Sequence, residues 1–290
     1  MIGFIKKLSA IHLVLILVVL VAFVMIAIDD RLSTPEHTAT HAQAKQTLTL
    51  AIITDLHSCY YGEGQRELLD ALHARKPDAI LLGGDIYDDK LPFTHADTLL
   101  AKLGDITPNL YYVNGNHELY LPASTYQQLE QRIKHYGIHI IHGKGMSIQV
   151  NGKDSGVNVY GVSDPVNNAQ FWQDLDTVGN AANRQHLNIL LAHRPEHISD
   201  YLHYPFDVIV SGHAHGGQWR LPYLVNGVFA PNQGFLPKYA GGQYHFDNPN
   251  SRSQHTQFIV SRGLAKESTR FIPRIFNRPE LVFLTIPSGQ

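Results

Sequence analysis

The sequence predicts an α/β domain of layered sheets, preceded by an N-terminal transmembrane helix. Three observations predict this class. One long apolar span lies near the N-terminus, and the rest of the chain alternates short apolar runs rich in β-branched residues with longer amphipathic segments. The runs are apolar on both faces, as strands are when a sheet is covered on both sides. Alternation of this kind is typical of helices packed on sheets.

Composition limits the classes of partner and chemistry. The 290 residues carry a formal net charge of -2, which argues against a nucleic-acid partner because such a surface needs clustered basic residues. Cys59 is the single cysteine, so an internal disulfide framework is excluded. The 18 histidines are a mild indication of metal or proton chemistry, since histidine is the commonest metal ligand and titrates near neutral pH.

The N-terminal span, Leu8 to Ile28, is long enough to cross a bilayer as a helix. We therefore expect residues 1–28 to be an uncleaved membrane anchor. The alternative is a cleaved signal peptide, which would have a shorter apolar core with small residues just after it. The nearest such site, Ala42-Gln43-Ala44, lies well downstream of the span.

Charges on either side of the span predict its orientation. Lys6 and Lys7 precede it, and Asp29 and Asp30 follow it. The positive-inside rule then places the N-terminus in the cytoplasm and the following domain on the extracytoplasmic side of the membrane.

Beyond the anchor, residues 29–46 are polar without an apolar period and predict a stalk. The domain is expected over 47–290. Its predicted strands are the runs LTLAIIT, DAILLGG, NLYYVNG, IHII, VNVYGV, LNILLA, DVIVSG, TQFIVSRG and ELVFLTI, and its predicted helices include Arg66–Lys76, Thr94–Gly104 and Ser124–Tyr136. Residues 216–255 are rich in Gly, Pro, Asn and aromatics, and predict an elaborated loop region.

Five of the apolar runs end in residues that bind metals. The donors are Asp55, His57, Asp85, Asn116, His193, His213 and His215. In open α/β sheets, ligands bind outside the carboxyl ends of the strands. If these strands are neighbours, the seven donors meet at one place.

The donor set indicates two ions rather than one. Histidine nitrogens, two carboxylates and one amide oxygen are too many ligands for one tetrahedral zinc, but they suit two first-row divalent cations that share a carboxylate. His213 and His215 are one residue apart, so in an extended segment they would point the same way and could serve different ions. Mn, Fe and Zn all accept such a set.

Each of these signals is weak when it stands alone. An Asp-x-His triplet is usually a solvated turn, a Gly-Asn-His-Glu stretch could be a simple turn, and His-Ala-His could lie on the surface. Five such signals in order, each at the end of an apolar run, favour a metal site over coincidence.

Together, Asp-x-His, Gly-Asp, Gly-Asn-His-Glu, a lone His after a strand, and Gly-His-x-His resemble the calcineurin-like metallophosphoesterase superfamily. The resemblance implies a four-layer α/β/β/α sandwich of two mixed β-sheets flanked by helices. It implies one metal on Asp55, His57, Asp85 and His215, and a second on Asp85, Asn116, His193 and His213. It also implies that His117 acts on the substrate, oriented by Asp88.

The resemblance also has a departure. The protein-phosphatase branch of the superfamily carries an arginine directly after that acidic residue, whereas Asp89 stands here. The stretches GHAHGGQWRLP, VSRGLAKESTR and RIFNRPELV are more similar to a bacterial, membrane-associated branch, which includes enzymes resembling UDP-2,3-diacylglucosamine pyrophosphatase. A UDP-linked substrate would face the cytoplasm, in conflict with the orientation that the flanking charges predict.

The expected function is hydrolysis of a phosphodiester or pyrophosphate bond by hydroxide activated between two metals, on a membrane-related substrate. One alternative is a tethered phosphatase for a soluble nucleotide or phosphomonoester, and another is a non-catalytic metal-binding scaffold. Among the arginines near the C-terminus (Arg262, Arg270, Arg274 and Arg278), Arg262 is the candidate for binding the substrate, because a guanidinium pairs well with phosphate.

Overall fold

The structure is a computed structural model that describes residues 10–40, 44–182, 184–266 and 273–289. The strands are β1 (Glu36–Thr38), β2 (Leu48–Ile53), β3 (Ala79–Gly83), β4 (Leu110–Val113), β5 (His139–Ile140), β6 (Lys144–Val150), β7 (Lys153–Gly161), β8 (Leu187–Leu191), β9 (Val208–Ser211), β10 (Phe229–Ala230), β11 (Gly234–Phe235), β12 (Gly242–Asp247), β13 (His255–Val260) and β14 (Val282–Ile286). The helices are α1 (Ala10–Ala27), α2 (Arg66–Arg75), α3 (Thr94–Leu103), α4 (Asn116–Leu119), α5 (Ala123–His135), α6 (Asn168–Ala181) and α7 (Ile198–Tyr201).

Two mixed sheets form the centre of the domain. The first has the order β1-β14-β2-β3-β4-β5, and the second has the order β12-β13-β9-β8-β7-β6. Within the first sheet β2, β3, β4 and β5 are parallel, and within the second β13, β9, β8 and β7 are parallel. The strands predicted to end in metal donors are therefore neighbours: β2, β3 and β4 in one sheet, and β8 and β9 in the other.

The core lies in three buried layers, which give the sandwich its four-layer order. Leu50 and Ile52 point toward the second sheet, where they pack with residues such as Ile189 and Val210. Residues one position along the same strand point outward: Ala51 and Ile53 pack with residues of α2, α3 and α5. The outer face of the second sheet packs in the same way with residues of α6 and α7. Because side chains alternate along a strand, one apolar run serves two layers, and this confirms the predicted α/β fold of mixed sheets flanked by helices.

The N-terminal segment does not support the predicted anchor. Helix α1 carries exposed apolar side chains along its length, such as Leu17 at 58 % and Val19 at 67 % exposure. Within the described residues, no helix combines the length and the apolar character needed to cross a bilayer. Residues 1–9, at the start of the predicted anchor, lie outside the described residues, as do Ala42 and Gln43 of the alternative cleavage site.

Two parts of the domain differ from the prediction. The segment predicted to be a stalk contributes β1 to the first sheet, where Glu36, His37 and Thr38 pair in parallel with β14, so this stretch belongs to the domain and not to a free linker. The region predicted as loop over 216–255 contains β12, which pairs with β13 along its whole length. Both are edge strands of their sheets, and a search for apolar runs does not find them because they are rich in polar residues.

Candidate metal centre

The site lies where the carboxyl ends of the parallel strands of the two sheets meet. Asp55, Asp85, His193 and His213 each come two residues after the end of β2, β3, β8 and β9, respectively. Asn116 begins α4, three residues after the end of β4. The sheets are joined directly here, because the backbone N–H of His213 donates to Asp55 Oδ1 at 2.9 Å.

Two groups of ligand atoms share one carboxylate. Atoms of Asp55, His57, Asp85 and His215 lie within 4.8 Å of one another, and so do atoms of Asp85, His193 and His213. Asp85 belongs to both groups and lies between them. His213 and His215 belong to different groups, as expected if they serve different ions.

The ligand residues reach the site through left-handed turns rather than extended backbone. Asp55, His57, Asp85, His213 and His215 have φ values of 49°, 48°, 52°, 63° and 48°. The expectation that His213 and His215 lie in an extended segment is therefore wrong. Strands β2, β3 and β9 bend sharply at their tips, and the bend directs the side chains inward, at a cost of order 1–3 kcal/mol per non-glycine residue in this region.

Two glycines make these turns possible. Gly84 has a φ of 87°, a conformation that side chains resist. A Cβ added at Gly115 would lie 2.2 Å from Asp85 Oδ1, so glycine is needed for the loop to approach this carboxylate. Glycine is therefore required at these two positions on steric grounds.

The donor set fits a pair of metal ions. Six of the seven predicted ligands carry a buried polar atom that has no hydrogen-bond partner: Asp55 Oδ2, His57 Nε2, Asp85 Oδ2, Asn116 Oδ1, His193 Nε2 and His215 Nδ1. Unpaired buried polar atoms are rare because each carries a desolvation penalty. Their concentration at one point is explained if these atoms ligate cations.

Hydrogen bonds fix the orientation of two ligand histidines. His193 Nδ1 lies 2.8 Å from the carbonyl oxygen of Gly83, which can only accept, so Nδ1 carries the proton. His57 Nδ1 lies 3.1 Å from Asp88 Oδ2. In both residues Nε2 is thereby left as the donor to a metal, an arrangement common around metal-binding histidines.

The ionisation of three of the candidate ligands, Asp85, His213 and His215, favours cations. Burial opposes the charge on Asp85, but the neighbouring His193 outweighs it and holds the pKa of this carboxyl well below its ordinary value. Burial lowers the pKa of His213 and of His215, which keeps both imidazoles neutral. An ionised carboxylate and neutral imidazoles are the forms that bind metals.

His117 lies beside the two groups, with a nearest partner that differs from the predicted one. Its Nδ1 is 2.7 Å from Asp89 Oδ1 and 3.7 Å from Asp88 Oδ2. Asp88 forms its hydrogen bond with His57, which brings the pKa of Asp88 down to about 2 despite the opposing effect of burial. The predicted His117–Asp88 contact is present at ion-pair distance, but the shorter contact of His117 is with Asp89, and Asp88 forms its hydrogen bond with the candidate ligand His57.

Glu118 is a structural residue whose role the sequence pattern did not reveal. Its buried carboxylate accepts hydrogen bonds from the backbone N–H groups of Asp85, Ile86, Tyr87 and Gly115, at 2.7–3.0 Å. It therefore ties the loop after β3 to the loop after β4. The Gly-Asn-His-Glu stretch places Glu118 next to the candidate ligands in the sequence. The four N–H groups that donate to its carboxylate come together only in the folded domain.

The arginine predicted to bind the substrate has another partner. Arg262 pairs with Glu280, with Nε and Nη2 each 2.5 Å from Oε2. The geometry thus gives Arg262 a structural partner and no support for a substrate contact. Arg270 lies outside the described residues. Arg194, which sequence reasoning did not select, lies closer to the centre, with Nη1 2.9 Å from His213 Nε2.

The fold and the site together define a sandwich of two mixed sheets flanked by helices, with a candidate dinuclear centre that shares one carboxylate. Residues 48–217 match the family model described as calcineurin-like phosphoesterase. This span covers more than half of the chain and contains all seven predicted ligands. The chain belongs to the calcineurin-like phosphoesterase family, and it is a hydrolase of phosphoester bonds.

Two curated relatives agree with this assignment. The chain is 27 % identical over 245 residues to the uncharacterized metallophosphoesterase YkoQ of Bacillus subtilis, covering 83 % of this chain and 84 % of YkoQ. It is 28 % identical over 159 residues to the phosphodiesterase YaeI of Escherichia coli, covering 54 % of this chain and 55 % of YaeI. Among solved structures it is similar to a dimetal phosphatase from Danio rerio, with a TM-score of 0.46, 13 % identity, and coverage of 75 % of this chain and 88 % of that one.

Glu118→Gln is expected to loosen the site, because the amide replaces one acceptor oxygen by a donor that faces backbone N–H groups. Leaving one or two of these groups unpaired costs about 1–3 kcal/mol each. We expect urea denaturation to show a free energy of unfolding lower by that amount, with weaker Mn²⁺ binding. Glu63→Gln, at an exposed position, is the matched control, and equal stability of the two variants would contradict the role of Glu118.

Metal binding is expected to release a proton and to strengthen as the pH rises. Burial lowers the pKa of His193, but Asp85 outweighs it and raises that pKa to about 10, so the metal-free protein keeps a proton on His193 at pH 7. A metal on Nε2 must displace this proton, which favours binding at higher pH. Titration calorimetry with Mn²⁺ at pH 6, 7 and 8, in buffers of different ionisation enthalpy, measures the release. Binding that is independent of pH and buffer would show that His193 is not a ligand.

Proposed function

We propose that the protein hydrolyses a phosphodiester or pyrophosphate bond with two divalent cations, Mn, Fe or Zn. The observation that carries the proposal is the membership of Asp85 in both ligand groups. Asp55, His57, Asp85 and His215 would hold one ion, and Asp85, Asn116, His193 and His213 the other. When bound, such a pair lowers the pKa of water, so that hydroxide is available near neutral pH, and it neutralises the oxygens of the phosphoryl group.

His117 is proposed to protonate the leaving group. Its side chain is 28 % exposed at the edge of the buried site, and Asp89 engages its Nδ1, which leaves Nε2 available to the substrate. The Asp89 and Asp88 carboxylates lie 2.7 and 3.7 Å from Nδ1, so both acidic groups face this nitrogen and not Nε2. A proton donated to the departing oxygen matters most for alkoxide leaving groups, which are poor ones.

A diester or pyrophosphate is favoured as the substrate over a phosphomonoester. Asp89 occupies the position where the protein-phosphatase branch has an arginine, so this part of the site adds negative charge. The relative YaeI is named a phosphodiesterase, which supports the same class of substrate. Because a monoester carries more negative charge than a diester near neutral pH, Asp89 disfavours it.

An apolar portion on the substrate is consistent with the surface near the site. Residues of the loop region 219–236 expose large apolar side chains, including Tyr223, Leu224, Phe235 and Leu236 at 69–105 %. Asn232 in the same loop lies 2.9 Å from the candidate ligand His213. We therefore favour a lipid or other amphiphile of the cell envelope over a soluble nucleotide as the substrate.

Membrane association through the N-terminal segment is a further part of the proposal. The apolar side chains of α1 are exposed, and its C-terminal end packs on the domain, with the rings of Phe23 and Phe276 5.4 Å apart. Charges on either side of the segment favour an extracytoplasmic domain.

We expect Mn²⁺-loaded protein to hydrolyse bis(p-nitrophenyl) phosphate faster than p-nitrophenyl phosphate, with activity lost on chelation. Asp85→Asn should abolish turnover, because it removes the shared carboxylate charge.

His117→Ala should keep its metal and lose about 10²–10⁴-fold in kcat with an alkyl phosphodiester, and less with a p-nitrophenyl leaving group. His197→Ala is the matched control, since His197 pairs with Asp200 away from both ligand groups. An alkyl diester hydrolysed at the wild-type rate by His117→Ala would refute the acid role.

A reporter fused after Gln290 tests the location. Activity of an extracytoplasmic reporter, together with recovery of the protein in the membrane fraction, is the expected result. A cytoplasmic reporter signal would reverse the proposed orientation. Recovery of the protein in the supernatant of washed membranes would exclude the membrane association.

A further inference from the structure

Arg194 is a buried guanidinium beside the candidate metal centre. It directly follows His193 and is 6 % exposed. Its Nε and Nη2 donate to the two oxygens of Asp164, at 2.6 and 3.0 Å. Such a bidentate pair fixes the plane of the guanidinium as well as its position.

The partners of Arg194 are themselves held in place. The backbone N–H of Asp164 donates to Asn114 Oδ1 at 2.8 Å, and Asp164 Oδ1 accepts from the N–H of Val166 at 2.9 Å. The hydroxyl of Tyr201 donates to the carbonyl of Arg194 at 2.9 Å. Asp164 thus engages the Nε–Nη2 edge of the guanidinium and leaves the Nη1 edge for other partners.

The Nη1 edge meets an oxygen at the rim of the site. Asn232 Oδ1 lies 2.5 Å from Arg194 Nη1 and 2.9 Å from His213 Nε2. An amide oxygen can only accept, so Arg194 Nη1 donates to it. Nη1 also lies 2.9 Å from His213 Nε2, so the guanidinium edge, the amide oxygen and the imidazole of a candidate metal ligand meet at one point. Asn232 is exposed, on the loop between β10 and β11, so an oxygen from solvent can take this place. Glu196 Oε1, 3.6 Å from Nη1, is the other acidic group that faces this edge.

We infer that Arg194 Nη1 binds a non-bridging phosphoryl oxygen of the substrate, in the position that Asn232 Oδ1 occupies in this structure. The inference rests on the proposed function and names a substrate-binding residue for it. The position after Asp88, where the protein-phosphatase branch has its arginine, holds Asp89. Arg194 supplies a guanidinium from the opposite sheet, next to the ligand group that contains His213.

Phosphate binding separates this role from a structural one. Arg194→Gln alone would leave Asp164 as an unpaired buried charge, which destabilises a fold strongly. The informative variant is therefore Arg194→Gln with Asp164→Asn, which keeps a neutral pair of similar shape. Arg132→Gln with Asp97→Asn makes the same substitutions in a more exposed pair, 2.6 Å apart on α5 and α3, and is the control for the change of charge.

We expect the Arg194/Asp164 double variant to retain Mn²⁺ and to bind inorganic phosphate about tenfold or more weakly, as for loss of one charged hydrogen bond. The KM for bis(p-nitrophenyl) phosphate should rise in parallel. Calorimetry measures phosphate binding to the Mn²⁺-loaded protein, and the control should match the wild type. Asp164→Asn alone retains the guanidinium and should lose less than the double variant.

Three outcomes decide the matter. Unchanged phosphate affinity and KM in a metal-loaded double variant would overturn the inference. A loss of Mn²⁺ that accounts for the loss of phosphate would also overturn it, since Arg194 would then act only through the metal ligands. If the wild type binds phosphate but hydrolyses no ester, and the double variant loses that binding, the proposed function fails and the inference stands.

Discussion

The arrangement of the whole site depends on one buried carboxylate. Asp85 is 1 % exposed, and its Oδ2 lies 3.1 Å from His193 Nε2 and 3.6 Å from His57 Nε2. Its Oδ1 accepts the backbone N–H of His117 at 2.8 Å. Asp55 and Asp88 are buried close by, and several carboxylates in one dry place repel one another unless cations are supplied. The protein therefore brings histidines, backbone N–H groups and a site for two ions to the same point.

The two sheets provide the rigidity that this arrangement requires. Five ligand residues adopt left-handed backbone conformations, which persist only when the surroundings hold them. The hydrogen bonds from Asp55 N to Gly84 O and from His57 N to Asp85 O, at 3.0 and 2.9 Å, join the tips of β2 and β3. Glu118 then joins the tip of β3 to that of β4. Each strained turn is anchored in a neighbouring parallel strand, so the ligand positions are set before a metal or substrate arrives.

The candidate ligands follow the local rule that binding residues lie just after parallel strands. Asp55, Asp85 and His193 could be found by that rule without knowledge of the contacts between sheets. The nearest partner of His117 could not be found by that rule. Asp88 and Asp89 are adjacent in sequence, and only the bend of the loop decides which of them faces His57 and which lies nearer to His117. Arg194 was missed for a related reason: its significance comes from Asp164 and Asn232, which are 30 and 38 residues away. Strands β1 and β12 were missed because their polar residues carry no apolar signal.

The balance of charge around the site argues for the class of ester that it takes. On the side of the first sheet, Asp89 puts a carboxylate against His117, where a substrate's leaving group would lie. On the side of the second sheet, Arg194 offers one guanidinium edge, while its other edge is neutralised by Asp164. A phosphoryl group placed between them would meet the Nη1 edge of Arg194 besides the cations. One such group matches the single negative charge of a diester, whereas the second charge of a monoester would face Asp89 without a partner. Asp89, which departs from the protein-phosphatase pattern, and Arg194 would together give the site the preference for diesters that the proposed function requires.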